Sequence, residues 1–275
     1  MIPVRAYEGR RVAVFGLGRT GIAAVRALQA GGAEVSAWDD NEAAREAALK
    51  AGLELDDLNR RDWGDIAALV LSPGIPLTHP APHRMVSLAQ AVGAPVLGDM
   101  ELFAQAIADV PDVRVIGITG TNGKSTTTAL IGHILKAAGL DVHVGGNIGE
   151  AVLGLSAPRA GAIYVLELSS YQLDLTSSLR CHVAVFLNLT PDHIDRHGDM
   201  EGYLAAKLRI FAGQERGDAA IIGVDDVHTA GVCTRLKADP SRNVIPISSQ
   251  RLVSDGVYAL AGRLYDDTDR KGARM

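Results

Sequence analysis

Cysteine is almost absent from this 275-residue chain: Cys181 and Cys233 are the only two. That is too few for a disulfide framework, so a reducing, cytoplasmic setting is expected. Long apolar runs are missing too. None reaches the roughly 18 uncharged residues of a membrane helix, and the start, Met1-Ile-Pro-Val-Arg5, lacks the layout of a signal peptide. No membrane partner is expected. Nor is there a basic excess: the net charge is −5, which argues against a general nucleic-acid binder. Lysine is scarce, with six among 27 basic residues, namely Lys50, Lys124, Lys136, Lys207, Lys237 and Lys271. In a chain that favours arginine, a lysine inside a motif raises the question of what arginine could not do there.

What remains is ordinary globular material, 47% hydrophobic and 21% charged, long enough for about two domains. Short apolar runs alternate with helical patterns. Strands are predicted at Arg11–Phe15, Glu34–Trp38, Ile66–Leu71 and Pro95–Leu97. Helices are predicted over Thr20–Ala30 and Glu42–Lys50, with a further one ending over Leu88–Val92. The pattern then restarts with a helix over Asp99–Ala108. Strands follow at Val113–Gly117, Asp141–Val144, Ala162–Leu168, His182–Leu187, Ala219–Ile222 and Val244–Ile247. Helices are expected over Ser125–Ala138 and Glu201–Phe211, then a hairpin-like stretch over Gly256–Tyr265 and a polar end from Asp266 to Met275. The reading is α/β with parallel sheets, and a boundary near Gly98 divides residues 1–98 from residues 99–275.

Gly16-Leu-Gly18-Arg-Thr-Gly21 follows a strand and opens a helix, the context of a Rossmann-like phosphate turn. Asp39, at the end of the next strand, stands where a ribose-binding acid usually lies. On these residues alone the turn is an NAD(P) site or a tight turn with nothing bound. Ser72-Pro73-Gly74 ends a later strand, on the edge where open sheets bind ligands. A second turn, Thr119-Gly-Thr-Asn-Gly-Lys-Ser-Thr126, also joins a strand to a helix. Its backbone N–H groups can cradle phosphates, Lys124 can neutralise them, and the Ser125 or Thr126 hydroxyl can reach Mg²⁺. The usual P-loop spacing would place a glycine at position 118, which is Ile118, so this loop is shorter at its start.

The second turn resembles the ATP loop of the Mur ligase family, which adds amino acids to UDP-muramoyl precursors of the bacterial cell wall. Glu167-Leu-Ser-Ser-Tyr-Gln-Leu173, Asn188-Leu-Thr-Pro-Asp-His-Ile-Asp195, Ala205-Ala-Lys-Leu-Arg-Ile-Phe211 and Gly145-Gly-Asn-Ile-Gly149 fit in order. The likeness runs to about Ile247 and is strongest to the branch that adds D-glutamate to UDP-N-acetylmuramoyl-L-alanine. The string Glu167 to Gln172 separates that branch from folylpolyglutamate synthetases and from ligases adding the first or third residue.

The resemblance implies a Rossmann-like domain for the UDP-muramoyl substrate, followed by a P-loop ATPase-like central α/β domain. It implies an ADP-forming ligase of peptidoglycan synthesis, monomeric when complete, in which the substrate carboxylate becomes an acyl phosphate that D-glutamate then displaces. Lys124, Glu167, His193 and Lys207 are the implied catalytic residues, and Gly120 through Thr126 (Gly120, Thr121, Asn122, Gly123, Lys124, Ser125, Thr126) the implied ATP cradle. Two Mg²⁺ ions would be held by Ser125, Glu167, His193 and Lys207. In the family the equivalent lysine is carbamylated by CO₂, which turns a cation that repels Mg²⁺ into an oxygen ligand. Asp192 and Asp195 would orient the His193 imidazole.

The first glycine turn then passes from NAD to uridine diphosphate, with Gly18, Arg19, Thr20, Asp39, Ser72, Pro73, Gly74, Asn147 and His193 as the implied substrate contacts. Relatives often have Thr and Arg after Asp39, where this chain has Asp40 and Asn41. Relatives also carry a Gly-x-His-Asn-x-x-Asn stretch and a third domain that binds D-glutamate. Neither occurs here, where the last histidine is His228, so a truncated ligase is expected that does not ligate glutamate alone. A nicotinamide-dependent oxidoreductase and a non-catalytic UDP-sugar-binding fragment are the competing readings.

Overall fold

The computed structural model describes residues 1–268, and the polar end expected for the chain lies outside the described residues from position 269 onward. Two sheets carry the fold. The first is built from β1 (Arg11–Phe15), β2 (Glu34–Trp38), β3 (Ile66–Leu71) and β4 (Val96–Leu97), all parallel, in the order β2-β1-β3-β4. Helices α1 (Arg19–Ala30), α2 (Glu42–Lys50) and α3 (Arg84–Ala91) make its crossovers.

Helix α4 (Asp99–Ile107) leads to the second sheet. Its strands are β5 (Arg114–Thr119), β6 (Val142–Gly146), β7 (Ile163–Glu167), β8 (Val183–Phe186), β9 (Ala219–Gly223), β10 (Asn243–Ser248), β11 (Val257–Leu260) and β12 (Arg263–Asp266). They lie in the order β12-β11-β10-β9-β8-β5-β7-β6. Only the hairpin β11–β12 pairs antiparallel among the described strands. Helices α5 (Lys124–Ala137), α6 (Ser170–Asp174), α7 (Ile194–His197), α8 (Met200–Leu208) and α9 (Val227–Lys237) complete this half.

Period-two alternation explains how these strands bury themselves. In β7, Tyr164 and Leu166 enter one apolar cluster while Val165 enters another beneath α5, where Ile118 and Val185 join it. The larger cluster is continuous across both sheets: Val12, Val14 and Val70 share it with Val115, Tyr164 and Phe186. Helix α4 sits at the junction, its Phe103 ring 5.0 Å from the Tyr164 ring. At the link between the halves, the Gly98 N–H donates to the Leu175 carbonyl at 3.0 Å. A Cβ added at Gly98 would meet Leu175 at 2.9 Å, so this approach requires glycine.

Three helices have no counterpart in the sequence reading. Helix α6 is five residues long and depends on a capping box between Ser169 and Gln172, too short for a periodic signal. Helix α7 is four residues long. Helix α9 had a legible start, because the Asp226 carboxylate accepts from the His228 and Thr229 N–H groups as an N-cap. The helix expected over Glu201–Phe211 is α8 followed by a tighter 3₁₀ turn over Arg209–Phe211.

Candidate functional site

Parallel strands deliver their carboxyl ends to one edge of each sheet, where crossover turns are free to bind ligands. In the first sheet this edge holds Gly16–Gly21. Gly16 has φ +94, and a Cβ there would come 2.4 Å from the Ser72 Cβ; at Gly21 it would come 1.8 Å from the Gly16 carbonyl oxygen. Both positions require glycine, whereas a Cβ on Gly18 would meet open space. Thr20 and Ser72 bring their hydroxyls within 3.3 Å of each other across this turn.

Two expected contacts are otherwise engaged here. Asp39 accepts from the Leu17 N–H at 2.6 Å and from the Asn41 N–H at 2.8 Å, so both carboxylate oxygens shape the turns themselves. Arg19 directs its guanidinium to the carbonyls of Asn147 and Gly149 in the other half. Asn41 caps α2 through the Ala43 and Ala44 N–H groups.

The second sheet's edge gathers more chemistry. Gly123, at φ +84, caps α5 and aims the helix's first N–H groups into the loop. Gly120, at φ +152, lets the chain pass Leu187. Lys124 folds back onto its own loop, donating to the carbonyls of Gly120 at 3.0 Å and Thr121 at 2.8 Å. Lys207 arrives from α8 and donates to the same Gly120 carbonyl at 2.9 Å. Its side chain is 1% exposed and lies 4.7 Å over the Tyr203 ring. Burial, helped by the neighbouring Lys124 charge, pushes the Lys207 ammonium down to about 7.

Glu167 ends β7 buried. Its Oε2 accepts from the Ser125 hydroxyl at 2.7 Å and its Oε1 from the Asn147 amide at 2.8 Å. Lys124, Ser125, Glu167, Asn147 and Lys207 therefore surround one turn. The Thr126 side chain makes no hydrogen bond among the described residues.

His193 stands further off. Its backbone is left-handed at φ 53, its ring lies 4.9 Å from the Tyr171 ring and 6.2 Å from the Tyr203 ring, and its side chain is 45% exposed. Tyr203 thus has Lys207 on one side and His193 on another. Asp192 approaches the imidazole Nε2 at 3.4 Å, whereas Asp195 makes no hydrogen bond among the described residues.

Among the described residues no three carboxylate, imidazole or thiolate groups come close enough to hold a metal together. A divalent cation here would rely on the Glu167 carboxylate, the Ser125 hydroxyl and oxygens brought by a nucleotide, a hard-oxygen set that suits Mg²⁺.

Sequence reasoning assigned no role to Asn188, yet its amide accepts from the Asn122 N–H at 2.9 Å and donates to the Asn122 carbonyl at 3.0 Å. It braces the loop from the strand next door. An asparagine directly after an apolar strand beside the loop strand was the available signal. Next to this loop lies a cavity of about 640 Å³, lined in part by Asn122, Gly123, Leu187, Asp226 and Tyr258.

Comparisons with known proteins give the chain relatives. The Mur ligase middle domain matches residues 118–261, and the N-terminal domain of MurD-like Mur ligases matches residues 10–98. A protein of Caulobacter sp. (strain K31) named UDP-N-acetylmuramoylalanine--D-glutamate ligase is 58% identical across 100% of this chain and 59% of its own length. A Rhizobium etli protein of the same name is 52% identical over 96% of this chain and 56% of its own length. The chain thus spans somewhat over half the length of these relatives.

Among solved structures, the Neisseria meningitides UDP-N-acetylmuramate:L-alanyl-gamma-D-glutamyl-meso-diaminopimelate ligase superposes with a TM-score of 0.59. It is 16% identical, with 93% of this chain and 85% of that chain covered, a likeness of fold. With its middle-domain match spanning more than half of the residues, the chain belongs to the Mur ligase family.

Proposed function

We propose that this chain carries the substrate-binding and ATP-binding parts of a ligase that joins D-glutamate to UDP-N-acetylmuramoyl-L-alanine at the expense of ATP, in peptidoglycan precursor synthesis. Residues 1–98 would hold the nucleotide-sugar and residues 99–275 the ATP. The observation that carries the reading is the convergence of Lys124, Ser125, Glu167 and Lys207 on one glycine turn at a strand-to-helix junction. The names of these two relatives support the same choice of substrates.

Activating a carboxylate by phosphoryl transfer is mostly positioning and charge neutralisation. The N-terminus of α5 and the Lys124 ammonium would hold the β- and γ-phosphates, and the braced Asn122–Asn188 pair keeps the loop in shape. Magnesium bound at Glu167 and Ser125 would supply further positive charge along the phosphates. A second ion would be held by His193 and Lys207, which suits Lys207 only as a carbamate. As an ammonium it shares one carbonyl with Lys124 and repels it. With its pKa pushed down to about 7, a substantial share of Lys207 is the neutral amine at neutral pH, the form that can attack CO₂. The nitrogen bonds the carbon, one proton leaves, and an anionic oxygen pair replaces the cation. Asn147, bonded to Glu167 at the same edge, would stand near the substrate carboxylate and the γ-phosphate. Arg19, Thr20 and Ser72 flank the earlier turn, with the α1 N-terminus ready for the diphosphate.

Thermal unfolding of the chain tests the reading with three ligands added separately: UDP-N-acetylmuramoyl-L-alanine, Mg-ATP and NADH. A ligand at about 100 times its Kd adds about 2.7 kcal/mol, several degrees for a protein of this size. Stabilisation by both the nucleotide-sugar and Mg-ATP is expected. Stabilisation by NADH alone would favour the oxidoreductase instead, and stabilisation by the nucleotide-sugar alone the binding fragment.

A further inference from the structure

The two glycine turns are joined through one arginine. Arg19 is the first residue of α1, directly after the open Gly18 position, so an anion held at that helix start rests against it. Its guanidinium does not face that anion site. It reaches across to the 145–149 turn, where Nη2 donates to the Asn147 carbonyl at 2.9 Å and Nη1 to the Gly149 carbonyl.

The turn it grips is poor in side-chain support. Gly145, Gly146 and Gly149 are glycine, the latter two at φ +104 and +61. A Cβ on Gly146 would meet the Glu167 carbonyl oxygen at 2.4 Å. So many glycines leave the backbone free in the unfolded chain and give the folded turn few side chains to pack. Its one polar side chain is Asn147, which donates from Nδ2 to Glu167 Oε1 and from its N–H to the Glu167 carbonyl at 2.9 Å. The other Glu167 oxygen accepts from Ser125 on the phosphate loop. A continuous chain of hydrogen bonds thus runs Arg19, Asn147, Glu167, Ser125.

We propose that Arg19 is a positioning residue for the second site: its two-pronged hold on the Asn147–Gly149 turn sets the Asn147 amide, and through it the Glu167 carboxylate, for the cation that accompanies the nucleotide. The metal-binding part of this inference rests on the ATP reading given above. A lysine could not replace the arginine, because one ammonium cannot hold both ends of the turn in a fixed plane. The placement also lets occupation of the first turn steady the second without any shared ligand.

Three measurements on the purified chain test it. In Arg19→Met, amide exchange at Asn147 is expected to quicken about tenfold, a loss of about 1.4 kcal/mol of local stability. Because Arg19 is exposed, the global unfolding midpoint should move little. The Mg²⁺ concentration that half-saturates ADP binding should rise about fivefold, with metal-free ADP binding unchanged. Adding R19M to Asn147→Ala should shift that concentration no further than N147A alone, since both lie on one path. Arg19→Lys should resemble R19M; full restoration by lysine would mean that charge alone matters and would overturn the clamp. Unchanged exchange at Asn147 in R19M would overturn it as well. Additive R19M and N147A effects on the Mg²⁺ requirement would overturn the metal-positioning role. Failure of the unaltered chain to bind Mg-ADP at all would overturn the ATP reading and that role together, while the exchange measurement would still decide the clamp.

Discussion

At the scale of single residues, one feature of composition and one of structure meet at Lys207. The sequence marks it only as a lysine among arginines, and the fold buries it against the Gly120 carbonyl with Lys124 beside it. A group so placed is costly as a cation, and under the carbamate proposal it would gain by becoming an anion that faces magnesium. Replacement by alanine should therefore abolish Mg²⁺-dependent ADP binding, and a short-chain carboxylate in the buffer should restore a measurable fraction. No recovery would count against a carbamate at this position. Asp39 shows the opposite lesson. Its spacing suggests a ribose contact, and the fold gives its oxygens a second task, accepting from the Leu17 and Asn41 N–H groups. Spacing places an acid at the strand end; which donors reach it depends on how the neighbouring turn closes.

At the scale of elements, most strands and long helices were legible because burial imposes the period. The parallel strands around β5 and β7 are near-continuous apolar runs, and each glycine turn sits between a strand and a helix as read. The elements that were missed are short or capped by polar residues. Helix α9 depends on Asp226, whose carboxylate serves the His228 and Thr229 N–H groups, the Thr229 hydroxyl and the Leu189 N–H. Asp226→Ala should cost about 2 kcal/mol, read as a lower urea midpoint. Because the Leu189 bond reaches the 188–190 segment beside the Thr119–Thr126 turn, the same variant should also weaken the proposed nucleotide binding. Asp226→Asn keeps one acceptor oxygen, enough for the His228 and Thr229 N–H groups, so it should recover much of the stability; its amide nitrogen cannot accept from the Leu189 N–H, so the binding defect should remain.

At the scale of the whole molecule, the two sheets share one core, and a buried carboxylate lies where they meet. Asp99 opens α4, is 3% exposed, and accepts from the Gln172 amide at 3.2 Å. Burial raises its pKa from 3.8 to about 6. An acid with a raised folded pKa is neutral in both states at low pH and adds no penalty there. As pH rises from about 4 to about 6, the unfolded chain releases its proton first, so stability falls; above that range the penalty is constant. The difference of about 2 units corresponds to about 3 kcal/mol at most. Asp99→Asn should therefore flatten the stability profile between pH 4 and 6 and raise stability at pH 7, measured by urea unfolding across that range. A steeper profile in the variant would mean that the carboxylate is not buried as described.

The sequence by itself determined that the chain folds as α/β, where its two glycine turns lie, and which lysines, acids and hydroxyls accompany them. These follow from local rules: the burial period, the backbone freedom of glycine and the order of motifs along the chain. Only the tertiary structure decided how those residues meet. Lys124 and Lys207 lie 83 positions apart yet share one carbonyl, Arg19 reaches 128 positions to steady Asn147, and His193 is held off behind Tyr203. Such meetings arise from strand order and helix packing, which bring distant segments to one edge of a sheet, and no local pattern encodes the distance between side chains that arrive there.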